Sequence, residues 1–292
     1  MSKILTPKDN AKIVVDECAE IVLKCSPQLF LREKGKVDGG IIKPCASSIL
    51  FAHLGQCYLF TAGHVIADND PDDLGFLENN QFFLLTGKVS YFNPNNDARS
   101  NSLDIGVLHL RNDLGKILMN YYDYLTVDNL LLDHETKEHD PKYLVVGYPL
   151  RSTKLNPVIK TISQKPFIYL TNTATEEDNN RLHVNKNTKI ALHYRQRRIV
   201  DWRTNHITKG VTPEGISGCG VWYINRYIYD PSHMPTLKLV AIVTDQDKNK
   251  TCLLATKIDY INELLIREFN LKIRRSRLFI QTPGSEKVYD WC

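Results

Sequence analysis

A serine in a glycine-flanked turn is the residue of this sequence whose surroundings best suit covalent chemistry. Ser217 lies in Gly215-Ile216-Ser217-Gly218, directly before an apolar run that is typical of a strand. Glycine permits the backbone angles and the close approach that a sharp turn needs, so the turn can present the hydroxyl outward. The amides of Gly215 and Ser217 can then converge on one point, as amides do when they bind the oxyanion of an acyl-transfer intermediate.

A serine hydroxyl is a weak nucleophile, and the sequence offers a base and a carboxylate to assist it. His64 follows an apolar run and the small residues 61–63, which indicates a position at the mouth of a barrel. Asp104 interrupts the otherwise apolar segment 103–108. A carboxylate buried there without a partner would be costly, so it needs a backbone amide, a lysine or the ring of His64. A base within hydrogen-bond reach makes the hydroxyl a nucleophile.

Composition limits the classes of protein to which these residues can belong. The chain has 292 residues, of which 42% are hydrophobic, enough for one large core or two moderate ones. The net charge of +4 is far below a concentrated positive field, and no nucleic-acid-binding motif accompanies it, which argues against a nucleic-acid partner. The seven cysteines form no Cys-x-x-Cys pair, so we expect neither a disulfide framework nor a metal site nor a cofactor.

The N-terminal segment predicts a helix and no membrane association. Residues 1–9 lack the apolar core of a secretion signal, and no later run approaches membrane-spanning length, so we expect a cytoplasmic protein. Thr6-Pro7 is typical of a helix start, apolar residues then recur at helical spacing, and Ser26-Pro27 marks the end. This amphipathic helix is expected to cover a barrel or, alternatively, to dock a regulatory partner.

From about residue 41 the pattern changes to short strands. Segments 46–52, 56–60, 81–87 and 88–92 are rich in β-forming residues and are separated by turn residues. This pattern independently favours an all-β barrel class.

Taken together, the motifs resemble a known family. The segments around His64, Asp104 and Ser217, in that order along the chain, resemble the three signature blocks of the chymotrypsin-like (trypsin-like) serine peptidases. The order is informative because other folds that use this triad arrange its members differently along the chain. The segment 143–149 resembles the strand that opens the family's second barrel, and segment 239–244 resembles its substrate-binding strand.

The resemblance covers about residues 41–267 and implies an architecture. It implies two antiparallel six-stranded Greek-key β-barrels side by side, with an N-terminal helix and a C-terminal helix plus tail, and with the site in the cleft between the barrels. The expected units are an N-terminal helical extension (1–40), a first barrel (41–135), a second barrel (136–257) and a C-terminal helix and tail (258–292). Intracellular bacterial-type members are the nearer match, because a disulfide framework is not expected.

The resemblance also implies an activity, that of a serine endopeptidase acting on a protein or peptide substrate. His64 would be the general base and acid, Asp104 would orient it, and the amides of Gly215 and Ser217 would form the oxyanion hole. Ile216 stands where many secreted members carry the aspartate that pairs with a newly cut N-terminus. Activation by insertion of an N-terminus is therefore not expected.

By position relative to Ser217, the resemblance assigns a substrate pocket. It places Val211 and Thr212 at the pocket floor, with Gln246 and Leu253 along the walls. None of these four is charged, so we expect a preference for uncharged or apolar side chains in the substrate.

Several segments have alternative interpretations. The polar stretch 171–188 is expected to be a lid or a solvated insertion, and the pair His134 and His139 is assigned to an exposed linker and not to a metal site. The tail 270–292 predicts one more strand or a docking arm for a regulatory partner. A catalytically silent member of the fold that serves as a protein-binding module is the alternative function, and a basic nucleic-acid-binding protein is a third.

Overall fold

The structure is a computed structural model that describes residues 7–33, 41–70, 72–92, 103–135, 141–156, 161–200, 207–225, 236–278 and 287–291. Within these ranges most residues of regular structure lie in antiparallel strands, which confirms the all-β fold class.

The first barrel is a ring of strands that closes through two bent strands. Its strands are β1 (Gln28–Glu33), β2 (Ile41–Ser47), β3 (Ile49–His53), β4 (Gln56–Thr61), β5 (Leu74–Glu78), β6 (Gln81–Leu84), β7 (Gly87–Phe92) and β8 (Ile105–Leu110). Only Ser48 separates β2 from β3, and only Leu85 and Thr86 separate β6 from β7, so each couple acts as one bent strand. Antiparallel pairs then run from β1 through β2/β3, β4, β8, β7/β6 and β5 back to β1, which closes a six-stranded barrel.

The second barrel is a six-stranded sheet that closes on itself. In sheet order its strands are β12 (Phe167–Thr171), β9 (Tyr143–Gly147), β16 (Gly220–Asn225), β17 (Thr236–Gln246), β18 (Cys252–Lys257) and β13 (Lys189–His193). The Ala174 amide donates to the Ala191 carbonyl at 2.8 Å, so the chain beyond β12 meets β13 and closes the barrel. Two small hairpins project from it, β10 (Thr153–Asn156) with β11 (Thr161–Gln164), and β14 (Ile199–Val200) with β15 (Ile207–Thr208).

The described helices lie around the barrels. They are α1 (Pro7–Lys24), α2 (Gly63–Ala67), α3 (Asn112–Leu118), α4 (Glu176–Arg181) and α5 (Ile258–Phe269). None of the helices in the described ranges is both long enough and apolar enough to cross a membrane.

Besides a small apolar cluster around Cys252 and Leu254, three large apolar clusters form the core of the described residues. One fills the first barrel, one fills the second, and the largest lies between them. Val15, Cys18 and Val22 of α1 are buried in this third cluster together with Phe51 of the first barrel and Val146 of the second. Because burial of apolar surface is the main stabilising term, α1 holds the two barrels together. The predicted helix is confirmed, and its apolar face packs at the junction of the barrels.

Both ends of the described chain contribute a strand to the sheets of the first barrel, and only the N-terminal strand departs from expectation. β1 belongs to the first barrel, although the sequence analysis placed residues 1–40 in a helical extension and predicted no strand there. At the other end, α5 ends at Phe269, and β19 (Lys287–Trp291) pairs antiparallel with β7. A strand in the tail was one of the two predicted outcomes.

Candidate active site

Strand pairing brings His64 and Asp104 together. β4 and β8 are neighbours, with Thr61 opposite Gly106, so the residues just beyond β4 and just before β8 meet at one end of the first barrel. The His64 ring Nδ1 lies 2.7 Å from Asp104 Oδ2, and the His64 backbone amide donates to Asp104 Oδ1 at 2.8 Å. The carboxylate is thus held at both oxygens. The His64 side chain is 32% exposed and that of Asp104 is 7% exposed, so the ring lies between the buried carboxylate and solvent.

The charges around His64 determine its basicity. Burial lowers the pKa of His64, but the hydrogen bond to Asp104 and the negative charges of Asp104, Asp68 and Asp245 outweigh it, so the pKa is raised. Since an ionised carboxylate only accepts hydrogen bonds, Nδ1 carries the proton and Nε2 is left as the basic nitrogen. The arrangement fixes one tautomer of His64.

The serine turn belongs to the second barrel but is anchored to the first. The amide of Ser47, at the end of β2, donates to the Ser217 carbonyl at 2.9 Å. The Ser47 hydroxyl donates to the Gly215 carbonyl at 3.0 Å and accepts from the Tyr148 amide at 2.9 Å. Ser47 therefore holds the backbone on both sides of Ile216. The sequence analysis did not identify Ser47, because its partners are far away along the chain.

Close packing places the serine turn beside the histidine segment. A Cβ added to Gly218 would lie 2.1 Å from the Ser47 carbonyl oxygen and 2.3 Å from the Thr61 hydroxyl oxygen, so only glycine fits. Thr61 lies three residues before His64 in the chain. The Thr61 hydroxyl donates to the Ser47 carbonyl at 2.9 Å. The segment carrying Ser217 and the segment carrying His64 thus meet at the same face of the cleft. In the described structure no hydrogen bond joins the Ser217 hydroxyl to His64.

The backbone of the turn has a defined orientation. Gly215 has a φ of +93° and Gly218 a φ of +90°, a region that residues other than glycine rarely adopt. The Glu214 carbonyl accepts from the Leu150 amide at 2.8 Å, so the Gly215 amide of the same peptide unit points the opposite way. Within the described ranges neither the Gly215 amide nor the Ser217 amide has an acceptor.

Apolar packing anchors the serine turn in the second barrel. Ile216 is buried in the core cluster of the second barrel, together with Cys219 and Val243. Burial also raises the pKa of the Cys219 thiol, which favours the protonated form over the nucleophilic thiolate.

A pocket of about 340 Å³ opens beside Ser217. Three of the four predicted pocket residues, Thr212, Gln246 and Leu253, line it. Val211 does not line this pocket: its side chain is in an exposed position, with the residue 40% accessible, and its carbonyl accepts from the Tyr194 hydroxyl.

The pocket rim carries charges that the sequence analysis did not assign. The charged lining residues are Glu214, Asp245 near the end of β17, and Asp247, Lys248 and Lys250 in the turn between β17 and β18. Nearby, Lys189 is almost fully buried; burial lowers its pKa, and the charges of Asp104 and Asp245 act against that shift. The second barrel thus contributes a buried amino group whose pKa responds to the charge of the aspartate in the first.

Two expectations about polar segments require correction. His134 is buried, and its Nε2 lies 3.0 Å from the Tyr143 hydroxyl, so the expected exposed position is wrong for this residue. His139 lies outside the described residues. Among the described residues no cluster of His, Cys, Asp and Glu could hold a metal ion. The stretch 171–188 contains α4, with Thr175 as its N-cap, instead of a continuous loop.

Comparison with known proteins adds to this geometry. No protein-family model matches the chain, and no curated protein matches it in sequence. The fold does match solved structures. The structure of the VesB protease of Vibrio cholerae aligns with a TM-score of 0.50 and 11% identity, covering 85% of this chain and 64% of that one. The fold is chymotrypsin-like. At this identity the likeness concerns the fold alone, and the chain spans less than two thirds of that protein's length.

Proposed function

We propose that the protein is a serine endopeptidase with His64, Asp104 and Ser217 as its catalytic residues. The observation that carries the proposal is the pairing of His64 Nδ1 with Asp104 Oδ2 at 2.7 Å, next to a serine turn held against the same barrel. A protease of the same fold, VesB, supports peptide-bond cleavage as the reaction.

The proposed reaction proceeds through an ester on Ser217. His64 Nε2 accepts the hydroxyl proton as the oxygen attacks the peptide carbonyl, and returns it to the leaving amine when the C–N bond breaks. Water then attacks the acyl-enzyme with His64 again as the base, which releases the acid and regenerates the hydroxyl. Asp104 keeps the imidazole in the required tautomer and stabilises its cation.

The amides of Gly215 and Ser217 are the proposed oxyanion donors. Their orientation is maintained by the hydrogen bond from the Leu150 amide to the Glu214 carbonyl. Two hydrogen bonds from Ser47, to the carbonyls of Gly215 and Ser217, also hold the turn. Each such donor contributes roughly 3 to 4 kcal/mol in comparable sites. Because buried Ile216 anchors this loop, catalysis would need no newly cut N-terminus.

The pocket favours an uncharged side chain in the substrate. Ile216, Val243 and Leu253 present apolar surface to it, and Thr212 adds one hydroxyl. Charged residues of both signs, Glu214, Asp245, Asp247, Lys248 and Lys250, also line the pocket. The proposal concerns the apolar part of the lining, where a charged side chain would be buried without a partner. A peptide library should therefore show cleavage after apolar or uncharged residues, and a strong preference for Arg or Lys would contradict the assignment.

A binding module without activity is the second candidate. The observation that favours it is that the Ser217 hydroxyl makes no hydrogen bond with His64 in the described structure. Catalytic hydrogen bonds often tighten only when substrate is bound, so this geometry is also compatible with an enzyme.

Fluorophosphonate labelling distinguishes the two candidates. An active enzyme should be labelled at Ser217, and both Ser217→Ala and His64→Ala should abolish labelling. Ser163→Ala, at an exposed serine of β11, is the matched control and should label as the wild type does. A folded wild-type protein that is not labelled would support the binding module.

A further inference from the structure

The wall of the pocket is a turn organised by one carboxylate. Residues 247–251, which we call the wall turn, join β17 to β18, and Asp247, Lys248 and Lys250 line the pocket. Asp247 Oδ1 accepts from the amides of Thr251 and Cys252, each at 2.6 Å. Asp247 Oδ2 accepts from the Thr251 hydroxyl at 3.0 Å and from the Asn249 amide at 3.2 Å. The conformation of the wall turn therefore depends on this side chain.

The Asp247 carboxylate is fully buried, and a buried charge needs a countercharge. Arg181 supplies it, with Nη1 at 3.4 Å from Asp247 Oδ2. The other terminal nitrogen of Arg181 donates to the Thr251 hydroxyl at 2.8 Å and to Asp178 Oδ1 at 2.9 Å. The guanidinium thus joins α4 to the wall turn by two separate contacts.

α4 is itself fixed to the second barrel. The Thr175 hydroxyl caps the helix by accepting from the Asp178 amide at 3.1 Å. Beyond the helix, Leu182 and Val184 pack against Cys252 and its apolar neighbours. Arg181 therefore extends from a rigid support to the wall turn.

We propose that Arg181 is a positioning residue that fixes the wall of the substrate pocket and so sets its selectivity. This inference rests on the proposed peptidase function. Arg181 would touch neither the scissile bond nor the catalytic residues, and it would act through Asp247. Without it, the buried Asp247 loses its countercharge and the wall turn loses a hydrogen bond at Thr251. The turn then samples wider conformations, and the pocket no longer discriminates between side chains of different size.

The test compares Arg181→Met and Arg181→Lys with Arg111→Met. Arg111 on the first barrel pairs with Asp113 at 3.2 Å on an exposed surface, so its loss is the matched control. Three measurements are needed: amide hydrogen exchange at Thr251 and Cys252, KM and kcat on matched peptides that differ in the pocket-filling residue, and the rate of labelling by a small fluorophosphonate.

In Arg181→Met, the amide hydrogens of Thr251 and Cys252 should exchange about tenfold faster than in the wild type, because their acceptor, the Asp247 carboxylate, is less firmly held. KM for the preferred peptide should rise about tenfold, while kcat and the labelling rate stay within about twofold, since small displacements at a binding wall weaken substrate positioning. Arg181→Lys should recover part of the KM loss because it restores the charge. Arg111→Met should match the wild type throughout.

Two results would overturn the inference: unchanged exchange in Arg181→Met, or faster exchange with unchanged KM and selectivity. The exchange measurement does not need catalysis. A wild type that is neither labelled nor active would reject the proposed function and with it the selectivity role, whereas the exchange result would still report on the contact of Arg181 with the wall turn.

Discussion

The two halves of the candidate site are held by different kinds of interaction. His64 and Asp104 lie at the ends of two neighbouring strands of one barrel, and the strand register alone brings them within hydrogen-bond distance. The serine turn and the pocket depend instead on contacts between distant segments, such as Ser47 with Gly215 and Arg181 with Asp247. A β-ladder fixes geometry through many equivalent bonds, whereas the turn relies on a few side chains. We therefore expect substitutions in the first half to remove the proton transfer itself. Substitutions in the second half should instead displace the groups that bind the substrate and the oxyanion.

The largest effect should come from the first half. Asp104→Asn should lower kcat by about 10⁴-fold, the size given for the corresponding change in the trypsin-type triad, because the amide favours the wrong tautomer of the histidine. Single-turnover kinetics on a peptide substrate would measure it. Asp113→Asn, at an exposed carboxylate, is the control and should leave kcat unchanged. Wild-type activity in Asp104→Asn would remove Asp104 from the mechanism.

A glycine substitution tests the turn of the second half. Gly215→Ala forces a side chain into a φ of +93° and places its Cβ within 2.7 to 2.8 Å of Leu150, so the peptide that carries the Gly215 amide must move. Loss of one oxyanion donor should cost about 10²-fold or more in kcat. Gly55→Ala is the matched control, because Gly55 also has a positive φ of +78° but meets no atom within 4 Å. Equal loss in both variants would show that backbone strain alone is responsible.

A pair of neighbouring serines separates positioning from stability. Ser47→Ala removes the hydroxyl that donates to Gly215 and leaves the buried Tyr148 amide without its acceptor, at a cost of about 1–3 kcal/mol in unfolding free energy. We expect kcat to fall roughly tenfold as well, since small misplacement at a reacting centre is costly. Ser48→Ala loses a buried hydrogen bond to the Pro27 carbonyl and should lower stability without changing kcat. A parallel loss of kcat in both would contradict the role of Ser47.

The smallest expected effect is on pH dependence. His64 must be neutral to act as a base, and its pKa is raised, so kcat/KM should rise as the pH increases through this raised value. The negative charge of Asp245 contributes to the shift, so Asp245→Asn should move the acid limb to lower pH by less than about one unit. The pH profile of kcat/KM on a neutral peptide is the measurement. A shift to higher pH would show that Asp245 does not act through its charge.

The parts of the molecule that sequence could predict are those governed by local pattern. The β-rich runs, the start of α1 near Pro7, and the motifs around His64 and Asp104 follow from periodicity and short spacing. β1 was missed because its short segment follows directly on the end of the helix. Ser47, Arg181 and Asp247 were missed because their roles exist only once distant segments are packed together, and neither periodicity nor spacing records such contacts.

The pairing of β19 with β7 has a consequence for how the molecule is made. β7 ends at Phe92 and its partner begins at Lys287, so the first barrel receives this outer strand only after the second barrel and α5 have been synthesised. Contacts between such distant segments form slowly, and until then the β7 flank offers unpaired backbone groups to other chains. Removal of residues 287–291 from a folded molecule would expose the same flank of β7 again.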